Sequence, residues 1–180
     1  SIMTSIIKVN TIQDAGGNAL LTSDGSGTLT TNNIGESNKP YMRAYMSGSP
    51  SIAADTVTVI PYNVSDYNVG GGTYDTSNYR YTPGVAGTYL IIAVSKLKYA
   101  VSAGQRMEMR VHKNGTQIMH WSNRAGGDLT STTSAFFVGT TQLNSTDYID
   151  MRGYNSSGAT RSYDTGTEVA FFEVILIAKT

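Results

Sequence analysis

The chain has 180 residues, with 13 acidic and 13 basic side chains, so it is formally neutral. Charged residues are 14%, against ~25% in an average soluble domain, and a neutral chain offers no electrostatic footprint for DNA or RNA. It has no cysteine, which excludes disulfides, thiolate zinc sites and a thiol nucleophile. Ser, Thr, Asn and Gly together supply 73 residues. That composition suits Thr-rich strands joined by Gly and Asn turns. The longest apolar runs, Tyr89–Val94 and Val174–Ala178, fall far short of the ~20 residues of a membrane-spanning helix. The first residues, Ser1 to Lys8, lack the basic and long apolar segments of a signal peptide.

In chain order, the first 38 residues predict an extended β arm. Ile6, Ile7, Val9 and Ile12 form a short apolar stretch. A turn at Asp14–Asn18 leads into a strand at Ala19-Leu20-Leu21. A second turn at Ser23–Gly27 leads to Thr28-Leu29-Thr30. No heptad is present. Such an arm cannot bury enough surface to order alone, so it is expected to pack on copies of itself or on another protein. Fully extended it spans at most ~130 Å, an anchor and not a fibre shaft.

Asn38-Lys39-Pro40 marks a boundary, giving an anchoring arm over 1–38 and a knob over 39–180. The knob reads as all-β. Strands are predicted at Thr56–Tyr62, Tyr89–Ser95, Arg106–His112, Gln117–Trp121, Ala135–Val138, Tyr148–Tyr154 and Val169–Ala178. Tyr67–Asn78, containing Gly70-Gly71-Gly72, reads as a loop. No amphipathic helix is present, and many short strands joined by turns predict a sandwich or jelly roll.

Lys113-Asn114-Gly115-Thr116 is a strong hairpin signal. With Asn114-Gly115 as the turn, Val111 is expected to pair with Ile118 and Met109 with His120, on the core face with Met107. Trp121 then lies on the outward face with Glu108, Arg110, His112, Gln117 and Met119. The last strand is apolar on both faces: Ala170, Phe172, Val174, Leu176 and Ala178 on one, Val169, Phe171, Ile175 and Ile177 on the other, broken only by Glu173. Tyr89–Val94, with Tyr89, Ile91 and Ala93, behaves alike. A sandwich strand has one face in the core and one in water, so the second apolar face predicts a subunit interface.

Several residues together resemble a known family. Tyr74-Asp75, Tyr81-x-Pro83 and Gly87-x-Tyr89 resemble the central signature of the C1q/TNF-like jelly-roll family. Lys113-Asn114-Gly115 resembles its hairpin, and Leu143-x-x-x-Asp147-Tyr148-Ile149 its following step, with Thr146 where Gly is usual. Phe171-Phe172-Glu173-Val174-Ile175-Leu176 resembles its C-terminal aromatic strand, without the usual Ser-Gly. The resemblance covers about residues 55–178 and implies an antiparallel jelly roll that assembles as a homotrimer. In the arm, Ile7–Asp14 followed by Gly16–Leu21 is similar to the leader of phage tail-fibre-like structural proteins. No Gly-x-y collagen tract is present.

Catalytic and metal motifs are missing. No Gly-x-Ser-x-Gly elbow, His-Glu-x-x-His or P-loop occurs. The two histidines, His112 and His120, are placed on opposite faces of the hairpin and cannot share a metal. Asp66, Asp75, Asp128, Asp147, Asp150 and Asp164 read as turn-capping residues, and Asp147 and Asp150 are expected to point to opposite faces of a strand. Calcium held by loops of several strands stays open, although no Asp-x-Asn-x-Asp-Gly loop supports it. The four Asn-x-Ser/Thr sequons at Asn63, Asn114, Asn144 and Asn155 are read as incidental.

Tyr62, Tyr67, Tyr74, Tyr79, Tyr154, Tyr163 and Trp121 sit in or near predicted loops, where aromatic rings either seal the sandwich ends or contact a glycan or protein. The surface contact candidates are Trp121, Tyr154, Arg161 and Tyr163. The core or trimer-interface candidates are Tyr89, Ile91, Ala93, Phe171, Phe172, Val174 and Leu176. The anchor candidates are Ile6, Ile7, Val9, Ile12, Leu20 and Leu21.

The expectation is a non-enzymatic homotrimer on the surface of a phage virion. No cofactor, nucleic acid or membrane insertion is expected. The arm would bind other virion proteins. The knob would project as a short tail fibre or spike that touches a host glycan or protein, or as a capsid decoration protein. A secreted C1q-like ligand-binding protein and a glycan depolymerase with two facing carboxylates are the alternatives.

Overall fold

The computed structural model describes residues 9–27, 29–31, 39–98, 102–126 and 133–180. The chain divides into two compact units, Ser1–Lys39 and Pro40–Thr180. The first is a three-stranded antiparallel meander of β1 (Thr11–Gln13), β2 (Ala19–Ser23) and β3 (Leu29–Thr31). Its first turn is built by Asp14, whose Oδ1 accepts from the backbone N–H of Gly16 and of Asn18, each at 2.9 Å. This side chain imitates a backbone turn. Asp24 repeats the device, accepting from Ser26 N at 2.7 Å.

The second unit carries β4 (Tyr41–Tyr45), β5 (Ser51–Ile52), β6 (Thr58–Val59), β7 (Val64–Val69), β8 (Thr73–Asp75), β9 (Arg80–Thr82), β10 (Gly87–Leu97), β11 (Arg106–Lys113), β12 (Thr116–Arg124), β13 (Thr133–Leu143), β14 (Ile149–Asn155), β15 (Arg161–Ser162) and β16 (Phe171–Lys179). Two antiparallel sheets form. The five-stranded sheet runs β13-β10-β16-β4-β7. The six-stranded sheet runs β12-β11-β14-β9-β8, with β6 also on β14. A small ladder joins β15 to β5.

Alternation builds the core. Every second residue of β10, from Gly87 to Leu97, is buried, and the intervening ones are half-exposed. Met42, Ala44, Tyr89, Ile91, Ala93, Phe172 and Val174 from one sheet meet Tyr81, Met107, Met109, Val111 and Ile149 from the other, each at 0% exposure. Five buried methionines (Met42, Met46, Met107, Met109 and Met151) fill the irregular space between aromatic rings. Gly153 is required on β14, because a Cβ there would collide with the Tyr163 hydroxyl and with Ile52.

Six strands of the second unit, β4, β5, β7, β8, β9 and β15, lie where the sequence predicts loop or nothing. β4 precedes the first predicted knob strand, and β7 and β8 occupy the predicted loop at Tyr67–Asn78. Polar and Gly residues hide them, since β7 is an edge strand with an exposed polar flank. Conversely, only Thr58–Val59 of the expected Thr56–Tyr62 strand is paired.

The β11–β12 hairpin turns at Asn114 (φ 51°) and Gly115 (φ 82°), the paired left-handed residues of a type I′ turn. Its register differs from the expected one. Val111 pairs with Met119, Met109 with Trp121 and Arg110 with His120, because Ile118 is an extra residue opposite the Val111/His112 step. One bulged residue moves every following side chain to the other face. Met119 and Trp121 therefore pack against the core, while Ile118 is 38% exposed. The outward placement of Trp121 is overturned. His112 and His120 share the outer face with Arg110 instead of lying on opposite faces.

Candidate functional site

The two sheets turn opposite chemistries outward. The outer face of the six-stranded sheet is a network of ion pairs. Glu108 is buried at 2% exposure, yet it meets Arg106 Nε at 2.9 Å, Arg110 Nε at 3.1 Å and His120 Nε2 at 3.2 Å. Burial opposes its ionisation, but the Arg110 hydrogen bond and the charges of Arg110, Arg106 and His120 outweigh it and hold the carboxyl below its ordinary value. Asp150, at 0% exposure, accepts from Arg152 Nε at 2.7 Å. Guanidinium groups cover the adjacent rings, Arg80 at 4.4 Å from the Tyr148 centroid and Arg106 at 5.3 Å from that of Tyr154. This face pairs its charges within the chain and is suited to water, although Arg80 Nε, Arg106 Nε and His112 Nε2 make no hydrogen bond among the described residues.

The outer face of the five-stranded sheet is the reverse. Three side-chain rows cross it in register. Phe136, Val94, Phe171, Tyr45 and Val64 form the first. Val138, Ile92, Glu173, Arg43 and Tyr67 form the second. Thr140, Leu90, Ile175, Tyr41 and Val69 form the third. With neighbouring strands ~4.8 Å apart, the rows are ~19 Å wide. Phe136 and Val138 are each 51% exposed, Val69 52% and Ile177 48%. An apolar patch this broad on a soluble domain marks an interaction site.

One polar cluster interrupts it. The Tyr67 hydroxyl donates to Glu173 Oε1 at 3.0 Å. Arg43 Nε lies 3.6 Å from the same oxygen and 3.9 Å from Asp66 Oδ2. The Tyr41 and Tyr67 hydroxyls touch. Burial, then the hydrogen bonds to Tyr41 and Glu173, push the Tyr67 phenol well above its ordinary value, so it stays a neutral donor. Arg43 also donates to the Thr167 carbonyl and covers the Phe171 ring at 4.5 Å.

The structure sorts the candidate residues. Tyr89, Ile91, Ala93, Phe172, Val174 and Leu176 all face the core at 2% exposure or less. Phe171 faces outward. Among the surface contact candidates, Tyr163 is overturned: it is 1% exposed, and its backbone forms an isolated antiparallel bridge with Leu97 at the end of β10. Tyr62, on a connecting segment, and Tyr74, on β8, are likewise buried in the core, as aromatic rings that seal the sandwich. Tyr154 is half-buried and donates to Asp55 at 3.0 Å, and Arg161 is held by Ser157 Oγ at 2.9 Å. Of the anchor candidates, Val9 and Ile12 are 51% and 46% exposed, Leu20 and Leu21 are half-buried, and Ile6 and Ile7 lie outside the described residues. Val9, Ile12 and Leu21 border a hollow of about 130 Å³ in the first unit. Tyr67, read as a loop aromatic, lies on β7. The residues missed from sequence are Tyr41 and Arg43. The alternation of Tyr41, Arg43 and Tyr45 with Met42 and Ala44 was their only signal.

Asp147 and Asp150 are not two faces of one strand. Asp147 caps the turn before β14, accepting from Asn144 N and Asn114 Nδ2 at 2.7 Å each, with Lys113 Nζ at 2.9 Å. Asp150 is not a turn cap but a buried strand residue. The Lys113 bond, chiefly, lowers the Asp147 carboxyl to about 2. Its folded value lies below its unfolded one, so its stabilisation is present above about pH 4 and is lost as pH falls towards about 2. The urea midpoint gap between wild type and Asp147→Asn is expected to close over that window. A gap independent of pH would contradict the assignment. Among the described residues, no three His, Asp or Glu side chains are placed to hold a metal ion, and no helix is long and apolar enough to cross a membrane.

No known family model and no curated protein sequence matches the chain. Solved structures do. The globular domain of zebrafish complement 1qA matches with TM-score 0.60 and 12% identity, over 79% of this chain and 99% of that one. Eiger TNF from S. frugiperda matches with TM-score 0.57 and 13% identity, over 79% and 93%. Murine APRIL at pH 5.0 matches with TM-score 0.57 and 13% identity, over 77% and 99%. The chain therefore has the all-β jelly-roll fold seen in TNF and C1q globular domains.

Proposed function

We propose that the chain is a non-enzymatic homotrimer on the surface of a bacteriophage particle, its arm docked on other virion proteins and its knob projecting. The observation that carries the trimer is the contrast between the sheets. One outer face is a network of ion pairs, and the other is mainly apolar from β13 to β7, interrupted by the Glu173–Arg43 cluster. Copies of the same chain cover that face. The family resemblance and the fold support three copies. The virion placement rests on the likeness of Ile7–Leu21 to tail-fibre leaders. The knob is then a short tail fibre or spike that touches a host glycan or protein, or a capsid decoration protein.

Native mass spectrometry at micromolar concentration is expected to give one trimeric species. A sharp monomer peak would sink the assembly reading. Immunogold labelling of purified particles tests the placement. Label on heads selects decoration, and label on tails selects the fibre. Incubation with host polysaccharide is expected to leave its chain length unchanged. The likeness to complement 1qA and TNF structures favours a second reading, a secreted ligand-binding protein. Unlabelled particles with the protein free in the medium would select it.

A further inference from the structure

Apolar rows are enough to drive association, so the polar cluster at their centre needs a separate account. Glu173 sits mid-strand, with Ile92 beside it on β10 and Arg43 beside it on β4. Its side chain is 15% exposed and that of Arg43 23%. Both contacts of Glu173, from Tyr67 and Arg43, fall on Oε1. A carboxylate offers about four acceptor sites, so capacity remains. Arg43 Nε, buried, makes no hydrogen bond among the described residues. Covering this face with apolar groups alone would bury this ion pair with part of its hydrogen-bonding capacity unmet, a desolvation cost that imperfect geometry does not repay. Only an arrangement that brings donors and acceptors to this spot avoids that.

From this, and resting on the homotrimer reading, we infer that the Glu173–Arg43–Tyr67 cluster fixes the stoichiometry and orientation of the assembly. A second copy supplies the missing hydrogen-bond partners in one geometry and fails to supply them in others. Buried polar residues in otherwise apolar coiled-coil seams act in the same way, selecting one oligomer at some expense of stability. The apolar rows supply affinity, and the cluster supplies uniqueness.

The test compares wild type with Glu173→Leu, Arg43→Met and the double variant by native mass spectrometry, with near-UV circular dichroism to confirm folding. Each single change removes the nearest opposite charge from its partner, leaving Arg43 with Asp66 or Glu173 with Tyr67, and is expected to weaken association at least 10-fold. The double variant is expected to associate at least as tightly as wild type but to spread over several stoichiometries. Glu173→Gln preserves shape and is expected to keep the trimer, weakened several-fold. A double variant that is purely trimeric beside a trimeric wild type would overturn this inference alone. A monomeric wild type would overturn the homotrimer reading and this inference with it.

Discussion

Phe136→Asp combined with Val138→Asp is expected to convert the trimer into folded monomers. Both residues lie on β13, an edge strand, and each is 51% exposed in the isolated chain. Surface changes of this kind typically move monomer stability by about 0.5 kcal/mol or less. Inward-facing charges on edge strands are also a natural device against unwanted pairing. In the seam the balance reverses. Each apolar side chain lost from burial forfeits about 1.5–3 kcal/mol, and each carboxylate stranded there costs several kcal/mol more. Every interface of the trimer carries both changes, so dissociation is expected to strengthen by more than about 10³-fold. Sedimentation velocity at micromolar concentration reads the outcome directly. Ser122→Asp is the control, since Ser122 lies exposed on β12 of the ion-paired sheet, and it is expected to leave the trimer intact. A trimer that survives the double change would move the interface off this face.

What could be read from the sequence follows from what is local. Clean alternation marked β11, and runs apolar on both faces marked β10 and β16, so all three were predicted close to where they lie. The doubly apolar character of β16 also pointed to a covered outer face. Asn114-Gly115 sets its own turn geometry, and that hairpin was legible from two residues. The bulge at Ile118 was not legible. Nothing local distinguishes a bulged residue from a paired one, and the consequence is total, since it reverses the faces of Met119, His120 and Trp121. Tyr163 was misplaced for another reason. It stands in a Gly- and Ser-rich segment, but the space left by Gly153 receives its hydroxyl. That vacancy belongs to a strand ten residues earlier. Glu108 and Asp150 are buried carboxylates whose partners include Arg106 and Arg152 on the same strands and His120 on a neighbouring one. Their pairing became visible only once strand neighbours were known. The polar cluster around Glu173 is the extreme case, assembled from β4, β7 and β16 with more than a hundred residues between its ends.

Adjacent phenylalanines then separate folding from assembly. Phe172 is fully buried, with its ring centroid 5.8 Å from that of Tyr62 and 6.3 Å from that of Tyr74. Phe172→Ala removes the centre of that cluster, and a truncation of this type costs about 3–5 kcal/mol. Phe171, one residue earlier, points the other way and touches Arg43. Its contact with the guanidinium is worth about 0.5–1 kcal/mol at a half-exposed site. Stability is best measured by urea unfolding in the monomeric Phe136→Asp/Val138→Asp background, where association no longer contributes. There Phe172→Ala is expected to lower the midpoint strongly with an unchanged slope, and Phe171→Ala to lower it only slightly. In the otherwise native chain, Phe171→Ala is expected to weaken the trimer at least 10-fold, because its ring lies in the first apolar row between Val94 and Tyr45. If Phe171→Ala instead costs the monomer as much as Phe172→Ala, the outer ring is already covered within the chain. A second copy would then have nothing to cover there.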